Sequence, residues 1–301
     1  MKFGYHTKLI KNLSFRAKSE NLFLILHADM DRKIKIMGIV NLTDDSYFAE
    51  SRCAGTADAV RRVGRMLEEG ADIIDFGACS TRPGSLPVGK EEEWKRLEPV
   101  LREVSRVFPG TRISVDTYWS DVVRRAFDVL GDFVVNDISA GEDDPMMLET
   151  VGELGLEYVA MHKRGNPETM QQMTDYDDVT LSVVRYFEDF AVKAEAAGIS
   201  KWILDPGFGF AKNVAQNYKI LSDLNKLRRS YGGYVPDILV GVSRKSMIYR
   251  TLGVSPDEAL APTQAVHMAA LLNGADILRV HDVAPALQTV RLFCCLDWQN
   301  L

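Results

Sequence analysis

Residues 34–40, Ile34-Lys35-Ile36-Met37-Gly38-Ile39-Val40, make a short apolar run that stops at Asn41. The chain repeats this pattern over residues 72–77, 112–116, 133–137, 157–161, 201–205, 237–242 and 275–280, and nearly every run ends in Gly, Asn, Asp, Ser or His. Between the runs lie amphipathic stretches of helical period, among them Ala57 to Glu69, Glu91 to Phe108, Val179 to Ala197, Val214 to Arg229 and Pro262 to Leu272. Each is long enough to cross back over a sheet. Short apolar strands without strict alternation are buried on both faces, as in parallel sheets covered by helices. Eight such strands in about 250 residues, with no Pro/Gly/Ser-rich linker, predict an α/β chain folded as a single (β/α)8 TIM barrel. The alternative is an open doubly wound sheet. Against it, the first strand leads into Asn41-Leu42-Thr43-Asp44-Asp45, and no G-x-G-x-x-G opens a helix there.

The 301 residues are 46% hydrophobic and 26% charged, a balance that buries a sizeable core. A net charge of −6 argues against nucleic acid or anionic lipid as the main partner, so an anionic small molecule would need a local basic pocket. Apolar runs such as residues 22–26 are too short to cross a bilayer. Cys53, Cys79, Cys294 and Cys295 form no C-x-x-C pair and read as reduced thiols of a cytoplasmic protein. The first thirty residues imitate a signal peptide only weakly and read as a loosely packed extension, with the ordered barrel beginning near Met30. The expected division is an extension over 1–33, a barrel over 34–295 and a tail over 296–301.

Barrels carry their chemistry on the loops that follow the strands. In order, those tips present Asn41, Asp75, Asp116, Asn136 with Asp137, Met161 with His162, Asp205, Ser243 to Ser246, and Arg279 with His281. Any one of them is as readily a loop cap as a functional group. With nearly all tips polar, a closed ring gathers them at one mouth. Asp116, Asn136 and Asp205 offer acceptors and an amide fork, which suit a flat, nitrogen-rich ring with a guanidine-like edge. Lys245 and Arg279 supply positive charge for an anion, and Asn41 and Asp75 supply oxygens for a hard cation such as Mg2+.

Asp205-Pro206-Gly207-Phe208-Gly209-Phe210 holds two glycines and two aromatics, and Phe210 is placed to cover a planar ring or simply to pack. Ser243 to Ser246 ends a strand and opens a helix around Met247, where backbone amides favour an anion. There Ser246 reads equally as a plain cap, and Arg244 as surface charge. Residues 80–89 and Thr43 to Gly55 are irregular loops able to close over a second substrate. His281 is a general base or a neutral donor to phosphate. His6, His27 and His267 have no partners around them and read as structural or surface residues. Cys79 has no paired histidine, which argues against a nucleophilic role, and Cys294-Cys295 carries no functional assignment.

Met37 to Thr43 with Asp45-Ser46, Asp75-Phe76-Gly77, Ser80 to Gly84, Val115-Asp116-Thr117, Asn136-Asp137-Ile138, Asp205 to Phe210, Ser243 to Ser246 and Arg279 to Val283 together resemble the dihydropteroate synthase family, over about residues 34–290. The resemblance implies a pterin-binding TIM barrel over 34–295. It also implies a transferase of folate biosynthesis, joining p-aminobenzoate to 6-hydroxymethyl-7,8-dihydropterin diphosphate with release of pyrophosphate. It implies that Asp116, Asn136, Met161, Asp205, Phe210, Gly241 and Lys245 hold the pterin. Asn41, Tyr47, Thr81, Arg82, Pro83, Ser246, Arg279 and His281 would then serve the diphosphate and p-aminobenzoate, Asn41 through Mg2+. Asp116, Asn136, Asp205, Lys245, Arg279 and His281 become the catalytic set. A cytoplasmic homodimer, a sulfonamide target and small-molecule partners are implied as well. Asp44, Tyr47, Cys79 and Lys163 depart from residues usual in the family, which bears on the aminobenzoate contacts more than on the pterin pocket. The rival functions are a corrinoid-linked methyltetrahydrofolate methyltransferase, which would not need the basic tips, and a non-catalytic pterin-binding protein.

Overall fold

A computed structural model describes residues 34–42, 55–79, 88–165 and 169–296. The extension, the tail beyond Leu296, most of both candidate loops, and with them Tyr47, Thr81, Arg82 and Pro83, lie outside the described residues. Eight parallel strands follow in chain order: β1 (Lys35–Asn41), β2 (Ile73–Gly77), β3 (Ile113–Asp116), β4 (Val134–Asp137), β5 (Glu157–Met161), β6 (Trp202–Asp205), β7 (Asp237–Val240) and β8 (Ile277–Val280). They close into a barrel in that order. β1 pairs with β2 on one side and β8 on the other, setting Met37 opposite both Ile73 and Arg279. The closed ring rules out the open sheet, and each strand lies within two residues of its expected span.

Among the described residues the outer layer comprises α1 (Thr56–Glu68), α2 (Lys90–Val107), α3 (Ser120–Leu130), α4 (Met147–Leu154), α5 (Val179–Ala196), α6 (Val214–Ser222), α7 (Ser246–Leu252), α8 (Leu260–Leu272) and α9 (Val283–Cys294). The continuous helix expected from Val214 to Arg229 is broken at Asp223. The Asp223 carboxylate accepts a 2.8 Å hydrogen bond from Thr180 Oγ1 and pairs with Lys219 and Lys226. The chain then tightens into a 3-10 turn over Leu224–Leu227. No helix among the described residues is long and apolar enough to cross a membrane.

Period-two alternation along each strand explains how one barrel holds both a dry core and a polar mouth. Met37, Ile73, Val134, Val159, Ile203, Leu239 and Ile277 form one buried cluster inside the barrel. Two residues further along the same strands come Asp75, Asn136, Met161, Asp205, Gly241 and Arg279, pointing inward one layer higher. The residues between them, such as Ile74, Phe76, Val135, Tyr158, Leu204, Val240 and Leu278, face the helices in the main core. Each fully buried aliphatic side chain contributes about 1.5–3 kcal/mol of burial free energy. Polar side chains are therefore tolerated inward only at the strand ends: Lys35 and Asp237 pair at 2.8 Å below the cluster, and the mouth above it lets the others meet each other or a ligand.

Candidate active site

Arg279, inward from β8, is the hub of the mouth. Its Nε donates to Asp75 Oδ2 at 2.7 Å, and its Nη2 donates to Asp116 Oδ2 at 2.7 Å and lies 2.6 Å from Asp75 Oδ2. Asp75, fully buried, also accepts from Ser114 Oγ at 2.6 Å and from Asn136 Nδ2 at 3.2 and 3.3 Å. Four strands are thus tied across the barrel by one carboxylate. This corrects the expectation that Asp75 offers oxygens to a cation, because its oxygens are taken up by Arg279, Ser114 and Asn136. Burial pushes Asp116 up to about 7 even though Arg279 draws it down, and burial likewise raises Asp205. The neighbouring carboxylates raise the Arg279 guanidinium above its already high range, so it stays charged. Asp137 does not join the mouth. The alternation turns it outward, where it accepts from Tyr158 OH at 2.6 Å and from Ser139 Oγ and N–H, both at 2.7 Å.

After β6 the chain curls tightly. Gly207, Gly209 and Ala211 all have positive φ, at 71°, 83° and 50°. A Cβ on Gly207 would stand 2.0 Å from the His162 carbonyl oxygen, so no side chain fits there. The Gly207 N–H donates to Asp205 Oδ1 at 2.8 Å and fixes that carboxylate. Lys245, from the loop after β7, donates to the Phe208 carbonyl at 2.6 Å, with its Nζ 5.0 Å from the centre of the Phe210 ring. Burial lowers Lys245 to about 8, against the pull of Asp205. Gly241 leaves room for these groups: a Cβ there would come within 3.8 Å of Lys245 Nζ and 4.0 Å of Arg279 Cβ. Met161 is buried on the inward face of β5, while His162 turns behind the β6 loop to a residue the sequence reading missed. That residue is Lys212, 3% exposed, and its only sequence signal is a lysine directly after a segment of glycines, phenylalanines and alanine.

On the far side, Ser243 Oγ lies 3.1 Å from His281 Nδ1 and accepts from the His281 backbone N–H at 3.2 Å. Burial, with Arg279 nearby, holds His281 down at about 3, so it is a neutral imidazole around neutral pH. Arg244 is not surface charge. It is buried with φ of 53°, its Nε and Nη2 gripping both oxygens of Asp282 at 2.8 and 3.0 Å. Its Nη1 donates to the Pro256 and Asp257 carbonyls. Nor is Ser246 a cap: it is the first residue of α7, half-buried, and Lys245 occupies the cap position. Cys79 is a half-buried thiol 3.8 Å from Tyr118 OH, and burial raises its pKa. His267 is a buried structural residue.

Asn41 ends β1. Its Oδ1 and Asp116 Oδ2 each lie 3.7 Å from the position a Cβ would take on Gly77, which places Asn41 on the same rim. Among the described residues no group of three or more His, Cys, Asp or Glu can hold a metal. One neutral amide oxygen, with the carboxylates below it already paired, suits a Mg2+ ion whose other ligands come from phosphate oxygens and water.

One rim therefore carries buried carboxylates, an amide, two cations and a neutral imidazole, the equipment of a barrel enzyme acting on a polar heterocycle with an anionic group. Residues 37–281 match the family model described as pterin binding enzyme. The chain is 41% identical over 259 residues to the dihydropteroate synthase of Escherichia coli, spanning 85% of this chain and 89% of that one. Two solved structures are similar throughout. The first is a Yersinia pestis dihydropteroate synthase with a sulfonamide drug complex (TM-score 0.81, 36% identity, covering 88% of this chain and 94% of the other). The second is the Thermus thermophilus enzyme in complex with 4-aminobenzoate (TM-score 0.77, 35% identity, covering 89% and 96%). The chain belongs to the dihydropteroate synthase family of pterin-binding enzymes.

Proposed function

We propose that this chain is the transferase that condenses 6-hydroxymethyl-7,8-dihydropterin diphosphate with p-aminobenzoate, giving 7,8-dihydropteroate and pyrophosphate. The observation that carries this is the single network in which Arg279 bridges Asp75 and Asp116 beside Asn136, Asp205 and Lys245. Asp205 and Asp116 accept from the N–H edge of the pterin, Asn136 and Lys245 meet its ring heteroatoms, Met161 and Phe210 border its faces, and Gly241 leaves it room. Arg279 keeps Nη1 for the diphosphate, since Nε and Nη2 serve the carboxylates. His281, neutral, gives that anion a hydrogen bond; Thr81 and Arg82 are assigned to assist at the diphosphate, and Tyr47, Pro83 and Ser246 to border p-aminobenzoate. Asn41 would hold Mg2+, which supplies charge neutralisation to the phosphates when bound.

Pyrophosphate departs from the pterin methylene first, because the electron-rich dihydropterin spreads the developing cation and the buried carboxylates stabilise it. Arg279 offsets the charge growing on the leaving group. The arylamine nitrogen then bonds to the methylene carbon and sheds one N–H proton to water, and no enzyme nucleophile is required. We further assign the barrel domain to 34–295, a cytoplasmic setting, a homodimeric state and sulfonamide binding at the aminobenzoate position.

Purified protein given both substrates and Mg2+ is expected to release pyrophosphate and dihydropteroate. Silence with both substrates shown to bind would favour the non-catalytic pterin binder. The methyltransferase has no observation in its favour. The pH profile gives a second check. The binding form needs Asp116 ionised and Lys245 charged, so kcat/KM for the pterin diphosphate falls as pH drops below about 7 and again as pH rises above about 8. His281, at about 3, adds no limb near neutrality. A profile flat from pH 5.5 to 9, roughly the range these groups span, would remove both assignments.

A further inference from the structure

Lys212 is a buried amine that the mechanism does not use; burial lowers it to about 7 against the pull of Asp205, and below that pH it is an ammonium. Its Nζ donates to the Gly207 and Phe210 carbonyls, both at 3.0 Å, and to the His162 carbonyl at 3.5 Å, and lies 2.9 Å from His162 Nδ1, which accepts when the lysine is charged, so each of the three ammonium protons has an acceptor. It makes no ion pair among the described residues, although a cation taken out of water costs several kcal/mol unless compensated. A chain needing only to fill this space would be served by methionine. What the ammonium does is gather backbone. The alternating positive φ values at Gly207, Gly209 and Ala211 turn the carbonyls of Gly207 and Phe210 back onto Nζ. The Phe208 carbonyl is turned the other way, onto Lys245 in the mouth. The Lys212 carbonyl is itself held by Asn217 Nδ2, and Asn217 Oδ1 takes the Gly209 N–H at 2.7 Å, which pins the curl to α6. His162 joins β5 to the same point: its backbone N–H donates to the Asp205 carbonyl, and its ring stands edge-on to Tyr186 at 4.9 Å. Accepting at Nδ1 leaves its ring proton on Nε2.

We propose that Lys212 is a positioning residue that clamps the β6 loop from behind, so that Asp205, the Phe208 carbonyl with its bound Lys245, and the Phe210 ring are set for the pterin without Lys212 touching it. This role deepens the function proposed above and presupposes it. The donor count favours a clamp over a filler, because three directed bonds from one point fix the loop's conformation as well as its volume.

Lys212→Met keeps the side chain's bulk and removes every hydrogen bond of the Nζ. Titration with 6-hydroxymethyl-7,8-dihydropterin diphosphate is expected to show Kd raised by about tenfold or more, the loss of 1.4 kcal/mol or above that broken charge-assisted bonds give. The Gly207 and Gly209 amide resonances should shift while those of α8 do not. A variant with a lower Tm but unchanged pterin Kd and unchanged loop resonances would make Lys212 a plain core residue and overturn the proposal. If Lys212→Met does not fold, His162→Phe decides. It keeps the ring packing on Tyr186, removes one acceptor, and is expected to raise the pterin Kd about threefold or more, with normal Kd counting against the clamp. Should the unaltered protein bind no pterin, the functional reading fails, and the loop resonances in Lys212→Met still judge the clamp: displaced uphold it, unmoved reject it.

Discussion

Asp205→Ala is expected to abolish measurable pterin binding, a rise in Kd of about a thousandfold or about 4 kcal/mol, as when one partner of a buried, hydrogen-bonded charge pair is removed. The carboxylate does two things that no neighbour duplicates. It accepts the Gly207 N–H that shapes the β6 loop, and it is the acidic group nearest in charge terms to Lys245 and Lys212. Without it the Gly207 N–H loses its partner, and burial lowers both lysines further with less to oppose it. Calorimetric titration with the pterin diphosphate measures the loss. Normal binding would remove Asp205 from the pterin pocket. A loss confined to kcat would move it from binding to chemistry.

Arg279→Ala is expected to strike stability and turnover together. In the native site two carboxylates share one guanidinium. Removing it leaves Asp75 and Asp116 buried without a cation, which costs about 3–5 kcal/mol in urea unfolding near neutral pH. The sign with pH follows from Asp116. Burial already holds it at about 7 against the pull of Arg279, so the variant's folded state raises it further, while the unfolded chain returns it to about 4. Both folded proteins keep that proton up to about 7, so the deficit against the unaltered protein is level in acid and grows as pH rises above about 7, where only the unaltered protein's Asp116 ionises. Turnover falls as well, by about a thousandfold, because the leaving pyrophosphate loses its fixed counter-charge. The double variant Asp75→Asn with Arg279→Ala separates the two effects, since it should recover part of the stability and none of the turnover. Full recovery of turnover would show that Arg279 serves only to satisfy Asp75.

Much of this was legible before any coordinates. Eight apolar runs ending in polar residues predict the barrel because a two-faced buried strand has only its upper inward position free for a polar group, as Asn136 and Asp205 show. Depth along the strand was not legible. Asp75 looks like a tip, yet β2 runs on to Gly77, so Asp75 sits below the rim and serves Arg279 instead of a cation. Orientation was lost for adjacent polar pairs. Asn136 faces in and Asp137 out, and a one-residue step decides which. Arg244 and Lys212 escape a reading of the sequence because one deciding partner of each comes from a distant segment. Asp282 lies 38 residues beyond Arg244, and His162 lies 50 residues before Lys212. No local pattern encodes such partners.

The seven-residue apolar layer from Met37 to Ile277 corks the lower end of the tube. Reactants and products must then use the same doorway above it. A spent pyrophosphate that lingers bars the next diphosphate, and a finished pteroate cannot slip out beneath its replacement. Arrival and departure therefore share one opening, and the two cannot happen side by side.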